Sequence, residues 1–225
     1  IGCILLRRTV AGPFTSKQIE LLEAFAAQAV IAIENVRLFT ELSEALEQQT
    51  ATAEILRVIS QSPTDVSPVL TAVAKAALKF CGARDAVVSL RDGDTWSIVA
   101  HEGPVDALPG PRRLNRHTAP GRAMVDGKVV QIADLQSAEG DEYPDGRQLG
   151  ARSGFRSALA APLMRDDVAI GAITLRRPEP GTFTSNQVEL LQSFAAQAVI
   201  AIENVRLFTE LRDSLERLKA AQANL

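Results

Sequence analysis

Cysteine and histidine, the residues from which many metal and redox sites are built, are scarce in this sequence, with two of each among 225 residues. Cys3 and Cys81 lack the CxxC and Cys/His spacings of zinc and redox motifs, so we interpret both as buried, reduced thiols. His101 and His117 belong to no haem-attachment motif. We therefore predict neither a metal site nor a haem.

The sequence also lacks an excess of positive charge and a long apolar run. Its 24 Lys and Arg residues against 27 Asp and Glu residues give a formal net charge of −3, so we predict no nucleic-acid partner. The most apolar stretches are interrupted by Gln28, Glu34, Gln197 and Glu203, and none approaches the roughly 18 residues of a membrane span. We expect a cytoplasmic globular chain. Because it starts at Ile1 without a signal peptide, we expect it to be part of a longer protein.

What the sequence does contain is a long internal repeat. Residues 1–42 recur at residues 170–211 with about three-quarters of the positions identical, and a spacing of about 169 residues fits one domain plus a linker. We therefore predict tandem domains. The predicted segments are the last strand of a truncated preceding domain at 1–12, its terminal helix continuing as a linker at 13–62, a complete domain at 63–211 and an exit helix at 212–225.

Each copy of the repeat predicts a strand, a turn and a long helix. Thr15 or Ser16 is a suitable N-cap in the first copy, and Thr184 or Ser185 in the second. Farther along each helix, the apolar residues are confined to a strip with heptad spacing, the heptad seam. This seam favours a homodimer through coiled-coil helices, and a parallel dimer is the first choice. A monomeric amphipathic helix is the alternative. The seam positions are Leu38, Leu42, Ala45, Gln49, Thr52, Leu56 and Ile59, and then Leu211, Leu215, Leu218 and Leu225.

Between the two copies, the periodicity predicts a compact domain of helices and antiparallel strands. A break at residues 62–65 precedes an amphipathic helix that stops at Gly82. Asp92-Gly93 is typical of a hairpin turn. The predicted order is a helix at 66–80, strands at 85–90 and 96–101, a short helix at 120–126, a strand at 129–132, a polar loop to about residue 154, strands at 157–164 and 168–177, and the terminal helix.

The domain resembles a GAF domain in four segments: DAVVSLRDGDTWSIVAHEGP, GRAMVDGKVVQIADL, SALAAPLMRDDVAIGAITL and FTSNQVELLQSFAAQAVIAIENVRLF. The resemblance covers roughly residues 60–211. It implies an α+β fold in which an antiparallel sheet of five or six strands carries helices on one face and a ligand cavity under loops on the other. It also implies a tandem GAF arrangement, linked by signalling helices, in a sensor histidine kinase or nucleotide cyclase.

The resemblance also implies where known GAF ligands would bind, and the matching residues are mostly absent. Cyclic-nucleotide-binding GAF domains usually carry Asn-Lys, then Phe, then Asp-Glu, at the positions that here read Arg176, Arg177, Phe183, Gln187 and Val188. Only the Phe is kept, and we interpret it as a packing residue. Covalent bilin attachment needs a cavity cysteine, and sulfoxide reduction needs several. We therefore predict no cofactor and no enzymatic activity.

An arginine-rich stretch marks the region where a GAF cavity would lie. Arg guanidinium groups and the amide nitrogens at the start of the Pro120 helix would favour a small anion or carboxylate. The alternative is that these arginines pair with neighbouring acidic residues at the surface. The candidate ligand-binding residues are Arg112, Asn115, Arg116, His117, Arg122, Tyr143 and Arg156.

The leading functional hypothesis is a sensory domain that binds a small molecule or a partner and passes its state through dimeric helices to an output domain. The alternatives are a ligand-free dimerisation spacer and an enzyme similar to free methionine sulfoxide reductase. The strand at residues 1–8 would lack its own sheet, so we predict that it forms no strand or pairs with another chain.

Overall fold

The structure, a computed structural model, describes residues 2–9, 11–61, 65–105 and 110–223. The chain divides into two compact units, residues 1–50 and 51–225. In the first unit, residues 2–8 form no strand, in agreement with the prediction for that segment. Cys3 is exposed there, so the prediction of a buried thiol is wrong, because no sheet covers this segment. Helix α1 (Ser16–Gln61) begins in the first unit and ends in the second.

The second unit is built on an antiparallel sheet of six strands in the order β3-β2-β1-β6-β5-β4. This sheet confirms the α+β class and the larger of the two predicted strand numbers. The hairpin between the first two strands turns at Gly93, whose positive φ of 55° suits the predicted Asp-Gly turn. The strands are β1 (Asp85–Asp92), β2 (Thr95–Glu102), β3 (Arg112–Arg113), β4 (Val130–Ile132), β5 (Ser157–Arg165) and β6 (Val168–Arg177).

Four further helices cover the two faces of the sheet. Helices α2 (Ser67–Phe80) and α5 (Ser185–Ala223) pack on one face, and α3 (Ala119–Asp126) and α4 (Pro144–Ser153) lie over the other. A 3₁₀ helix at Ala138–Glu142 precedes α4. The alternation of side chains along each strand therefore separates a helix-packed core from a second, more polar side.

The helix-packed core is apolar and fully buried. Val88, Leu159 and Leu175 lie on this face of the sheet, and Leu70 and Phe194 pack onto it from α2 and α5. The helical spacing of the apolar residues in α2 predicted this face correctly, since Val69, Leu70, Val73 and Ala77 are all buried.

The turn that precedes the long helix has the same local structure in both copies of the repeat, before α1 and before α5. Thr15 and Thr184 each accept a bond from the backbone N–H of a glutamine three residues on, and each glutamine side chain accepts one back from the threonine N–H, at 3.0 Å and 2.9 Å. These are capping boxes. Since one copy lacks a sheet and the other has one, this turn is specified by its own sequence.

The structure corrects the prediction of a loop up to residue 154. That stretch holds the 3₁₀ helix and α4, which starts at Pro144 and ends before Gly154 in the left-handed conformation, with φ of 75°. Two glycines inside α4 lower its helix propensity and hid it from the periodicity. Gly150 is required at its position because a Cβ there would meet the Phe155 carbonyl oxygen at 2.6 Å.

Most of the described positions of the heptad seam lie on exposed helix surfaces, but Thr52 is half-buried, and its Oγ1 accepts from Gln197 Nε2 at 3.4 Å. Leu38 and Leu42 of α1, and Leu211, Leu215 and Leu218 of α5, are exposed. The side chains of Leu56 and Ile59, all of Leu225, and the predicted break at 62–64 lie outside the described residues. Within the described part of the chain, no helix is long and apolar enough to cross a membrane.

We expect Gly171→Ala to destabilise the second unit by about 2 kcal/mol, because the added methyl group overpacks a site where strands β1 and β5 approach β6 closely. A Cβ there would overlap the Ser89 carbonyl oxygen and would lie 2.9 Å from Leu163 Cδ1. The measurement is urea unfolding followed by circular dichroism.

The matched control is Gly2→Ala, at the same position of the other repeat copy, where nothing lies within 4 Å of an added Cβ. We expect its unfolding curve to match that of the unchanged protein. Equal unfolding midpoints for Gly171→Ala and the unchanged protein would contradict the packing described here.

Candidate functional site

A cavity of about 320 Å³ lies between the second face of the sheet and helices α3 and α4. Its floor comes from alternate residues of β1, β2, β5 and β6, as expected for side chains that share one face of a pleated sheet. Its walls come from β3, from the start of α3 and from one side of α4. The lining includes the side chains of Val87, Ser89, Trp96, Ile98, Arg112, Asn115, Ile132, Leu135, Leu149, Phe155, Thr174 and Arg176.

Two hydroxyl groups on the cavity floor have no hydrogen-bond partner among the described residues. They are Ser89 Oγ and Thr174 Oγ1, on side chains from residues only 1% and 4% exposed. Thr174 stands opposite Val87 and Ser89 opposite Ala172 in the β1/β6 register, so the two hydroxyls are diagonal neighbours on one face. Because burying an unsatisfied hydroxyl costs about 1–3 kcal/mol, both groups are unusual in a core.

An ion pair borders this floor. Arg176 Nε donates to Asp85 Oδ2 at 2.7 Å, and both residues are buried. Burial lowers the pKa of Arg176, and the neighbouring Asp85 carboxylate partly offsets that effect. Nη2 lies 2.5 Å from the same oxygen but makes no hydrogen bond of acceptable geometry.

Asp85 is the centre of a small network. Besides Arg176, its Oδ1 accepts from the Val105 backbone N–H at 3.1 Å and lies 2.8 Å from His101 Nε2. The carboxylate therefore holds the ends of β1, β2 and β6 together with the segment that follows β2. A buried carboxylate needs several such partners, and Asp85 has them.

The start of α3 forms one wall of the cavity. Thr118 caps the helix by accepting from Gly121 N at 3.2 Å, and Pro120 occupies the first turn. A Cβ at Gly121 would overlap the Asn115 carbonyl oxygen, so a glycine is required for this close approach. Asn115 lines the cavity, and its Oδ1 accepts from the His117 N–H at 2.9 Å.

Of the seven candidate residues, the structure places Arg112 and Asn115 in the cavity lining. Arg112 stacks over the Trp96 ring, 5.0 Å from its centroid, and burial lowers its pKa. The other five candidates lie outside this lining. They are Arg116, His117, Arg122, Tyr143 and Arg156.

Those five side chains have protein partners instead. Arg116 Nη2 pairs with Asp126 at 2.6 Å, Arg122 Nη1 with Glu142 at 2.7 Å, and Arg156 with Asp134. Tyr143 is buried beneath Arg122, whose guanidinium lies 4.2 Å from the ring centroid. His117 Nδ1 lies 3.5 Å from Asp145. The surface pairing weighed as the alternative is therefore what the structure shows for these arginines.

Sequence reasoning missed the polar floor. Thr174 and Arg176 occupy alternate positions near the end of β6, and Ser89 interrupts an apolar run in β1. Polar residues that recur with a period of two inside a buried strand would have been the signal for this floor.

Phe183 and Cys81 lie in the helix-packed core, on the side of the sheet away from the cavity. Phe183 stacks under Arg177, whose guanidinium lies 3.8 Å from the ring centroid, as a packing residue would. Cys81 Sγ lies 3.7 Å from the Gln187 carbonyl oxygen, and burial raises the pKa of its thiol to about 12. Among the described residues, no group of three or more His, Cys, Asp or Glu side chains could hold a metal ion.

The family model of the GAF domain matches residues 65–202, more than half of the chain. This protein belongs to the GAF domain family. The match spans the sheet, the cavity and the packed part of α5, and so it places the cavity within the GAF domain.

Solved structures with a similar fold come from proteins of different activity. Free methionine-R-sulfoxide reductase from Neisseria meningitidis has 21% identity and a TM-score of 0.59, covering 73% of this chain and 93% of that chain. The chromophore-binding domain of a bacteriophytochrome from R. palustris has 14% identity and a TM-score of 0.57, covering 71% of this chain and 61% of that chain. A methyl-accepting chemotaxis protein fragment has 23% identity and a TM-score of 0.56, covering 68% of this chain and 97% of that chain. These likenesses show a shared fold.

We expect Asp85→Asn to destabilise the GAF domain by about 3 kcal/mol, because removing one member of a buried ion pair leaves the other charge uncompensated. The control is Asp126→Asn, which breaks the exposed pair with Arg116, a kind of pair that contributes at most about 1 kcal/mol. Urea unfolding measures both. Similar losses for the two variants would show that the Asp85 network is not buried as described.

We expect Cys81 to resist alkylation by iodoacetamide at a pH where Cys3 reacts, because the thiolate is the nucleophile and burial disfavours it. The pKa of Cys81 rises from 9.0 to about 12 on folding, so the folded state holds this proton more tightly. The stabilisation is complete below about pH 9 and is lost as the pH rises towards 12.

Mass spectrometry of tryptic peptides measures the labelling of each cysteine. Brief labelling in urea is the control and should modify both residues. Equal labelling of Cys3 and Cys81 in the folded protein would contradict the burial of Cys81.

Proposed function

We propose that this chain is a sensory module whose GAF domain binds a small molecule in the cavity and passes its bound state to long helices. The observation that carries the proposal is the pair of buried hydroxyls on the cavity floor, Ser89 Oγ and Thr174 Oγ1, without partners among the described residues. A ligand with polar atoms at the floor would supply those partners and offset the unfavourable burial.

The route from the cavity to the exit helix runs through the end of β6. Arg177, next to Arg176, donates to the Cys81 carbonyl oxygen at 2.7 Å and to the Gly82 carbonyl oxygen at 2.9 Å, and it stacks on Phe183. Arg177 thereby ties β6 to the end of α2 and to the turn before α5. A change at Arg176 on the cavity side is transmitted to both helices through this neighbour.

The output of the module is carried by a homodimer in this proposal. Leu211, Leu215 and Leu218 leave a strip of apolar surface along α5 with heptad spacing, 60%, 48% and 64% exposed. A second copy of the same helix buries such a strip in a coiled coil, and a small shift in helix register is a two-state signal. The parent protein in this proposal is a cytoplasmic sensor histidine kinase or cyclase with tandem GAF domains.

Two alternatives make different demands on the cavity. A ligand-free dimerisation spacer needs the helices but no ligand. A sulfoxide reductase needs cysteines in the cavity, and the lining described here contains none, which favours a module without catalytic activity.

The test is native mass spectrometry of the gently purified protein, followed by thermal shift against a chemically varied panel of small molecules. We expect a dimer, and we expect a ligand that raises the unfolding midpoint of the unchanged protein. Ile98→Trp places a bulky ring in the cavity and should abolish the shift. Val99→Trp, at the adjacent exposed position, is the control and should keep it.

A dimer that no compound stabilises would support the spacer instead. A monomer at the concentrations used would contradict transmission through paired helices. The variant Leu211→Glu with Leu215→Glu should give monomers that still bind the ligand, because its changes lie on α5, outside the cavity lining.

A further inference from the structure

We infer that residues 2–34, named here the docking segment, bind a second GAF-type core, one with strands like β1–β5 and a helix like α2 in which the place of β6 and α5 is empty. The docking segment matches residues 171–203, which close the GAF domain of this chain. The inference goes beyond the proposed function, because it assigns a partner to the first unit and needs no ligand in the cavity of the second.

The apolar side chains of the docking segment are exposed, whereas the same residue types at the matching positions are buried. Four large side chains of the segment are between 38% and 54% exposed, namely Ile4, Leu6, Phe14 and Phe25. The matching four are at most 4% exposed, namely Ile173, Leu175, Phe183 and Phe194. Clustered apolar side chains at a surface indicate an interaction site, and the second copy shows the kind of surface that covers them.

The backbone of the docking segment is also open to pairing. Residues 2–8 form no strand, whereas the matching residues of β6 pair antiparallel with both β1 and β5. Unpaired backbone beside alternating side chains is what adds a strand to a sheet. The partner therefore offers two strand edges with an empty place between them.

Two charged residues of the docking segment show what the partner supplies. Arg7 is exposed, whereas Arg176 at the matching position is buried and donates to Asp85 at 2.7 Å. Because a buried arginine needs such a partner, we expect the second core to carry a carboxylate at the position of Asp85.

The second charged residue lies on the helix. Glu203 accepts from Arg165, at the end of β5, at 3.1 Å. The matching residue is Glu34 on α1, which pairs with Arg37 of the same helix. We expect the partner to supply a basic side chain at the position of Arg165.

The docking segment already has the turn and helix start of residues 171–203. The capping box at Thr15 repeats the one before α5. Arg8 lies over the Phe14 ring, 4.2 Å from its centroid, as Arg177 lies over Phe183 at 3.8 Å. Local structure that exists before binding lowers the entropic cost of docking.

A folded second copy of this chain is not the partner. In the GAF domain of each copy, β6 fills the place between β1 and β5, and the start of α5 packs beside α2. Docking in trans would have to expel a segment of nearly the same sequence, with no net gain in buried surface. The partner is therefore a core in which that place is empty.

Two differences between the copies fall on the cavity face of the strand. Leu5 matches Thr174, which borders the cavity of about 320 Å³, so a larger side chain has room there. Cys3 matches Ala172, which is fully buried. Since Cys3 is exposed in this structure, its thiol reports directly on whether the docking segment is covered.

The experiment attaches the partner covalently to the full chain. In the test fusion, residues 51–169 precede residue 1, so that the added core runs into the docking segment as residue 169 runs into residue 170. In the control fusion, residues 51–211 precede residue 1, so that the added core brings its own strand and helix. Iodoacetamide labelling of Cys3 is measured by mass spectrometry. We expect labelling at least about tenfold slower in the test fusion than in the control fusion or the full chain alone, because a covered thiol reacts only after local opening.

The variant Gly2→Ala tests the register of docking. Nothing lies within 4 Å of an added Cβ at Gly2, but at the matching Gly171 a Cβ would overlap the Ser89 carbonyl oxygen. In the test fusion, we expect Gly2→Ala to lower by about 1 M the urea concentration that exposes Cys3, because the methyl group overpacks the new strand. In the control fusion and the full chain, the same variant should leave the labelling of Cys3 unchanged.

Equal labelling of Cys3 in the two fusions overturns the inference, and so does a test fusion that is insoluble while the control fusion is soluble. An unchanged urea concentration for Gly2→Ala in the test fusion overturns the docking register and with it the assigned partner. Slow labelling of Cys3 in the full chain alone would show that paired copies cover the segment, which also overturns the inference. Ligand binding in the second unit is measured separately and stands or falls without these results.

Discussion

The contact between Asp85 and Arg176 joins the two central strands of the sheet across 91 residues of sequence. A one-residue slip between β1 and β6 would turn one of these charges towards the apolar core, which is far more unfavourable than exposing it to water. The pair therefore fixes the register in which Val87 meets Thr174 and Ser89 meets Ala172. The positions of the side chains on the cavity floor follow from that register.

The same register keeps two kinds of chemistry apart. On one face, Val88 and Leu175 meet the helices, and on the other, Ser89 and Thr174 meet the cavity. The sheet itself therefore separates the helix-packed core from the cavity. Arg176 and Arg177 are adjacent in β6 and point to opposite sides, one to Asp85 and the other to the end of α2, which makes this strand end the shortest path between the faces.

Most of the fold could be predicted from the sequence because its signals are local. The capping boxes at Thr15 and Thr184, the Asp-Gly hairpin and the apolar spacing of α2 each act within a few residues. Strand β3 gave no signal because two paired residues are too few to show alternation. Helix α4 was missed because Gly146 and Gly150 lower its helix propensity. These glycines lie close to Leu135 and Phe155, which are tertiary contacts that the sequence does not reveal.

The candidate site was less predictable, because the partner of an arginine depends on which residues the fold brings near it. Arg112 and Arg116 are close in sequence, yet one stacks on Trp96 in the cavity and the other pairs with Asp126 outside it. The composition shows that the stretch is rich in arginine and acidic residues. Which arginine forms an ion pair with which acid depends on the tertiary structure.

Helix α5 has 39 residues, which at 1.5 Å per residue amounts to about 58 Å. Leu191, Phe194, Ala198 and Ala201 pack its first half into the core, so the helix extends past the core only beyond about residue 202. That second half is about 30 Å long, and a tilt of about 5° where it leaves the core displaces its far end by about 3 Å. A small tilt of α5 at the core is thus enlarged along the helix by its length alone, without any refolding of the domain.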